Sequence, residues 1–152
     1  MASIGRILNY NPPAERRIPS QVLATWENGI FLKKEDINRD IKGLRSPQIG
    51  AIYATLSHWE VSSDAATIVM PTGTGKTEVM LSLLIAASCY KTMIIVPTDA
   101  LRSQISNKVA SLGLLADPQF SIVKETVLKP IVGVMSHRPA SSEEAIAFMA
   151  VS

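Results

Sequence analysis

The chain has 152 residues, enough to bury a sizeable core, and its 47% apolar and 18% charged content is that of folded globular material and not of a disordered tail. Its net charge of +2 permits contact with nucleic acid without demanding it, because the basic residues are scattered and the pairs Arg16-Arg17 and Lys33-Lys34 are short enough to read as solvated turns. A single Cys89 beside only His58 and His137 leaves no internal disulfide framework and no Cys/His zinc site, and an aromatic content of 5% argues against a base-stacking platform.

Residues 1–43 carry loop punctuation at Asn11, Pro12 and Pro13, and the pattern predicts a short helix from Ser20 to Asn28 closed by Gly29 and another from Glu35 to Lys42 closed by Gly43. Leu44-Arg45-Ser46-Pro47-Gln48 then opens a segment whose Ile49, Ile52, Tyr53 and Leu56 recur at helical spacing. An exposed glutamine in a first helical turn is the plain reading of Gln48 taken alone.

The apolar run Ala65 to Met70 predicts a strand near 66–70, and Pro71-Thr72-Gly73-Thr74-Gly75-Lys76-Thr77 follows it directly, with the helix-forming run Glu78 to Ala87 behind. Strand, glycine-rich loop, Lys-Thr and helix are the context of a phosphate-binding loop for a nucleoside triphosphate. Gly73 and Gly75 would allow amide N–H groups to converge on phosphate oxygens at the positive end of the helix. Lys76 would add a mobile cation for the β- and γ-phosphates, and the Thr77 hydroxyl a ligand for Mg²⁺. The general pattern asks for glycine six residues before the lysine, where this chain has Met70.

Thr92 to Val96 is a continuous apolar run of the kind found in a strand covered on both faces, followed by Pro97-Thr98-Asp99-Ala100-Leu101-Arg102-Ser103-Gln104. Thr98 reads as a helix cap, with Leu101, Ile105, Val109 and Leu112 on one face behind it. Ile131 to Met135 predicts a third strand with His137 and Arg138 in the loop at its end, and Glu143 and Glu144 begin an Ala-rich helix as a charged first turn and not as a metal site. Strands alternating with helices imply a parallel sheet with right-handed crossovers and a nucleotide at the strands' carboxyl ends, so the expected fold class is α/β. Residues 79–90 are apolar for too short a stretch to span a bilayer, and the amino terminus lacks the regions of a signal peptide, which leads to the expectation of a cytoplasmic protein with no membrane partner.

Over residues 44–112 the three motifs stand in an order and spacing that resemble the first RecA-like domain of superfamily 2 DEAD/DEAH-like helicases, in particular the restriction-type translocase branch. In that family an apolar residue often precedes the proline of Pro-Thr-Gly-Thr-Gly-Lys-Thr. The resemblance implies ATP and Mg²⁺ as cofactors, nucleotide contacts at Gln48, Thr72, Gly73, Thr74, Gly75, Lys76, Thr77 and Glu78, and catalytic roles for Lys76 and Thr77. It implies that the Gln48 amide reads the adenine edge and that Thr98 contacts nucleic-acid phosphate, with DNA favoured over RNA because Leu-Arg-x-x-Gln is more typical of restriction and repair translocases.

No Asp-Glu pair follows an apolar strand in the downstream half, so the acids of helicase motif II have no candidate. The resemblance therefore implies a partial RecA-like domain, residues 44–152, preceded by a helical segment, residues 1–43. It also implies that the rest of the helicase or a partner subunit covers an open sheet edge, and that the chain alone is inactive. Two rivals stay open on the residues themselves: a non-catalytic P-loop binding or scaffold module, and a P-loop NTPase unrelated to nucleic acid, such as a kinase.

Overall fold

A computed structural model describes residues 5–8 and 18–151; Asn11 to Pro13 and the Arg16-Arg17 pair lie outside them. The elements run β1 (Gly5–Leu8), α1 (Pro19–Trp26), α2 (Ser46–Val61), α3 (Lys76–Ala86), α4 (Asp99–Ser111), β2 (Val132–Met135) and α5 (Ser142–Val151). α1 starts at Pro19, where a missing N–H costs nothing, and the Ile18 N–H donates to Gln21 Oε1 at 3.1 Å. Its far end is pinned across the molecule. The Trp26 indole Nε1 donates to the Leu128 carbonyl at 2.9 Å, and the Leu128 N–H donates to Thr25 Oγ1 at 2.9 Å, so the N-terminal segment joins the same core as the α/β section.

The helix expected over residues 35–42 does not form. A single 3₁₀ turn, Ile37–Arg39, stands there instead, with the Asp36 carboxylate accepting the Asn38 N–H at 3.0 Å, Asp40 in the left-handed region at φ 52° and Asp36 bridged to Ile41. Asp and Asn side chains compete for local backbone donors and so favour turns over helix interiors, and Ile37, left 85% exposed, has no packing surface to outweigh that preference.

α3 is the centre of the core. Val79, Leu81, Leu83, Leu84 and Ile85 are all buried, the pattern of a helix wrapped on every side, and α2, α4 and the 3₁₀ turn Gly113–Ala116 pack around it. The Ser82 hydroxyl lies inside this packing with no hydrogen-bond partner among the described residues. Cys89, just past the helix, is half-buried; burial pushes its thiol above the ordinary range, against a smaller opposing pull from a hydrogen bond with Thr92.

The expected parallel sheet is not what the described residues form. β2 appears close to its predicted place, but it pairs antiparallel with β1, in the register Gly5 with Met135 and Leu8 with Val132. Residues 66–70 and 92–96, the other two predicted strands, make no backbone–backbone hydrogen bond among the described residues, and Val69, Met93 and Ile95 are 88%, 69% and 86% exposed. A strand exists only where a neighbour supplies the ladder, and apolar runs patterned for cover on both faces find it here on neither edge. The two runs share an apolar cavity of about 410 Å³ lined by Ile68, Met70, Thr92 and Ile94.

Glu143 and Glu144 lie in the first turn of α5, where the Ala140 N–H donates to Glu144 Oε2 at 2.6 Å and the Glu144 N–H donates to Ser141 Oγ at 3.2 Å, a reciprocal helix cap.

Candidate nucleotide phosphate site

Pro71 to Gly75 leads directly into α3. Gly73 and Gly75 sit at φ 80° and 85°, in the left-handed region that a side chain strains, and a Cβ at Gly75 would also collide with the Gln48 amide. No side chain caps α3, and the N–H groups of Gly75, Lys76, Thr77 and Glu78 take no partner among the described residues. The carbonyls are the reverse. Pro71 O accepts from Thr74 Oγ1 at 2.6 Å and from Lys76 Nζ at 2.9 Å, Met70 O accepts from Lys76 Nζ at 2.6 Å, Gly73 O accepts from the Arg45 guanidinium at 3.2 Å, and Gly75 O accepts from Gln48 Nε2 at 3.2 Å. The Thr74 N–H also donates to Pro71 O, at 3.4 Å, so the carbonyls of Met70, Pro71, Gly73 and Gly75 are satisfied by the chain's own donors while the amides from Gly75 to Glu78 stay free at a helix N-terminus, which is the electrostatics of an anion cradle.

Each expected site residue has a definite place in this arrangement. Thr72, Gly73 and Lys76 are exposed, and Thr74, Gly75, Thr77 and Glu78 are partly buried. The Lys76 ammonium rests on the loop's own first carbonyls, a position it leaves at little cost because both bonds face solvent. The Thr77 hydroxyl takes no partner among the described residues. Glu78 turns across to α4 and meets Lys108 Nζ at 3.4 Å, tying the start of the loop helix to the helix behind Thr98.

Gln48 lies closer in than its sequence suggests. It is only 4% exposed, its Oε1 accepts the Arg45 N–H at 2.7 Å in the first turn of α2, and its Nε2 holds Gly75 O. Both ends of the amide are thus spent on the chain itself. Thr98 stands apart from the loop as the N-cap of α4, its Oγ1 accepting the Leu101 N–H at 3.3 Å. Neither Arg45 nor Lys108 carried a role from the sequence; the spacing of Arg45, three before Gln48 at the helix start, was the available signal, whereas Lys108 gave none.

With this geometry in view, the comparison with known families is direct: residues 41–150 match the type III restriction enzyme, res subunit family. The chain belongs to that family, a superfamily 2 helicase-like group whose domains use ATP, typically with Mg²⁺. Neither a curated protein nor a solved structure gives a significant match.

Proposed function

We propose that the chain is the ATP-binding part of a superfamily 2 helicase or translocase that works on nucleic acid, DNA in preference to RNA, in the cytoplasm. The observation that carries the reading is the split between the loop's occupied carbonyls and its free amides from Gly75 to Glu78. Membership of a restriction-enzyme subunit family and the Leu44-Arg45-x-x-Gln48 opening support DNA as the partner. No helix among the described residues is long and apolar enough to cross a membrane.

On this reading the triphosphate lies against the amides at the start of α3, and Lys76 moves from the Met70 and Pro71 carbonyls to the β- and γ-phosphates. Thr72 and Thr74 flank the phosphates. The residues fit a magnesium ion in a limited way: the free hydroxyl of Thr77 would hold it together with phosphate oxygens, and the ion would supply charge neutralisation at the γ-phosphoryl group. Glu78 braces the cradle through Lys108 without ligating the metal. The amide of Gln48 exchanges Gly75 O for the adenine edge when nucleotide enters. Thr98 contacts the nucleic-acid backbone at the start of α4.

These residues bind without turning over, because nothing among them orients an attacking water and an arginine finger alone contributes about 10³ to 10⁵ in rate. The test is calorimetric titration of Mg-ATP into wild type and Lys76→Ala. Loss of the charged phosphate contact lowers affinity by roughly 10- to 100-fold with the fold intact. Unchanged affinity in the folded variant rejects the phosphate assignment. In the intact protein, stimulation of ATP turnover by DNA above that by RNA tests the partner.

A further inference from the structure

The loop is held from the side. Arg45 and Gln48 stand one turn apart at the start of α2, and each grips a carbonyl of the phosphate loop, Gly73 O and Gly75 O respectively, both at 3.2 Å. A trans peptide unit is planar and points its C=O and N–H in opposite directions, so fixing the Gly73 carbonyl fixes the Thr74 N–H, and fixing the Gly75 carbonyl fixes the Lys76 N–H. These are also the two peptide units with the lowest resistance to flipping, since each follows a glycine at positive φ. A flip at either would turn a carbonyl dipole toward the triphosphate. Each unit has a second restraint: the Gly75 carbonyl also accepts the Val79 N–H at 3.3 Å, and on the Gly73 unit the Thr74 N–H donates to Pro71 O across a longer 3.4 Å, while the Gly73 carbonyl itself is held among the described residues by Arg45.

We propose that Arg45 is a positioning residue for the phosphate loop: its guanidinium holds the Gly73 carbonyl toward α2, reinforces the weak turn bond from the Thr74 N–H to Pro71 O, and so keeps that carbonyl dipole turned away from an incoming polyphosphate. The inference rests on the ATP-site reading above, and it gives Arg45 a task that depends on the phosphates and not on the base. One N–H suffices for the contact, because a single guanidinium nitrogen reaches Gly73 O. A lysine at this position could therefore perform it, whereas a role that needs a flat guanidinium against a base could not be transferred.

The experiment titrates Mg-ATP and Mg-tripolyphosphate, which has no base, into the 152-residue chain as wild type, Arg45→Ala and Arg45→Lys, and measures backbone amide order at Gly73 to Gly75 by NMR relaxation without nucleotide. Arg45 is exposed, so neither substitution empties the core. Arg45→Ala weakens both ligands alike, by about fivefold for one hydrogen bond, and lowers amide order in the empty loop; Arg45→Lys restores both. Weakened ATP with unchanged tripolyphosphate assigns Arg45 to the base and overturns the inference, as does unchanged binding of both ligands. Weakened binding with an unaltered empty loop also overturns it, by assigning Arg45 to direct phosphate contact, and a lysine variant as poor as alanine removes the single-donor tether. If the wild type binds neither ligand, the ATP-site reading itself fails, an outcome distinct from all of these.

Discussion

Gln48 illustrates how one side chain can be legible in kind and not in placement. Its position at the start of a helix 28 residues before Lys76 was readable, but its burial was not, because the local pattern of a first-turn glutamine predicts exposure. Its amide fills the space a Cβ would take at Gly75, which makes the glycine necessary twice over, for its φ and for its lack of a side chain. Gln48→Ala should weaken ATP binding and bring the ATP to GTP preference toward unity, since an amide can pair with the adenine edge but not equally with guanine. Competition binding of the two nucleotides checks this, and equal losses for both would confine Gln48 to holding the loop. Gly73 and Gly75 were readable because positive φ is a local property; Arg45 was not, because its contact is with a backbone atom 28 residues away, and a carbonyl has no sequence signature.

At the scale of elements, helices were easier to read than strands. α2, α3 and α4 carry their own hydrogen bonds and announced themselves by caps and periodicity, whereas residues 66–70 and 92–96 depend on partners that the sequence cannot specify. The turn at Ile37–Arg39 shows the opposite failure, a helical spacing undone by Asp36, Asn38 and Asp40. In α4 the predicted apolar face holds at Val109 and Leu112, which are buried, and fades toward Leu101, 39% exposed near Thr98. Thr98→Ala removes the one side-chain cap of that helix and should lower stability by about 1 kcal/mol in a thermal melt. In the intact protein the same substitution should reduce DNA affinity at low salt; a loss of stability with DNA affinity unchanged would leave Thr98 as a cap alone. Thr98→Ser, which keeps the hydroxyl, should retain both.

For the whole molecule, the defining feature is apolar surface where a sheet was expected. Val69 and Ile95 are almost wholly exposed, on runs with unpaired backbone donors and acceptors. Such surface pairs with other chains unless something covers it, and the resemblance to helicases implies that the rest of the helicase or a partner subunit does so. Val69→Lys and Ile95→Lys together should raise the concentration at which the chain stays monomeric, measured by light scattering, with no loss of thermal stability because neither side chain contributes to the core. Unchanged self-association would mean that these runs are not the sticky surface.

The hydrogen bonds that join Thr25 and Trp26 to Leu128 span more than a hundred residues of sequence. During synthesis at about 5 to 20 residues per second, α1 leaves the ribosome roughly 5 to 20 s before its acceptor exists. For that interval the Trp26 indole has no place to go, and the chain closes on itself only when its last third arrives. The docking of the amino-terminal helix is therefore a late event in the folding of this core, set by translation and by the entropy of a long loop, and burial of the Trp26 ring reports it.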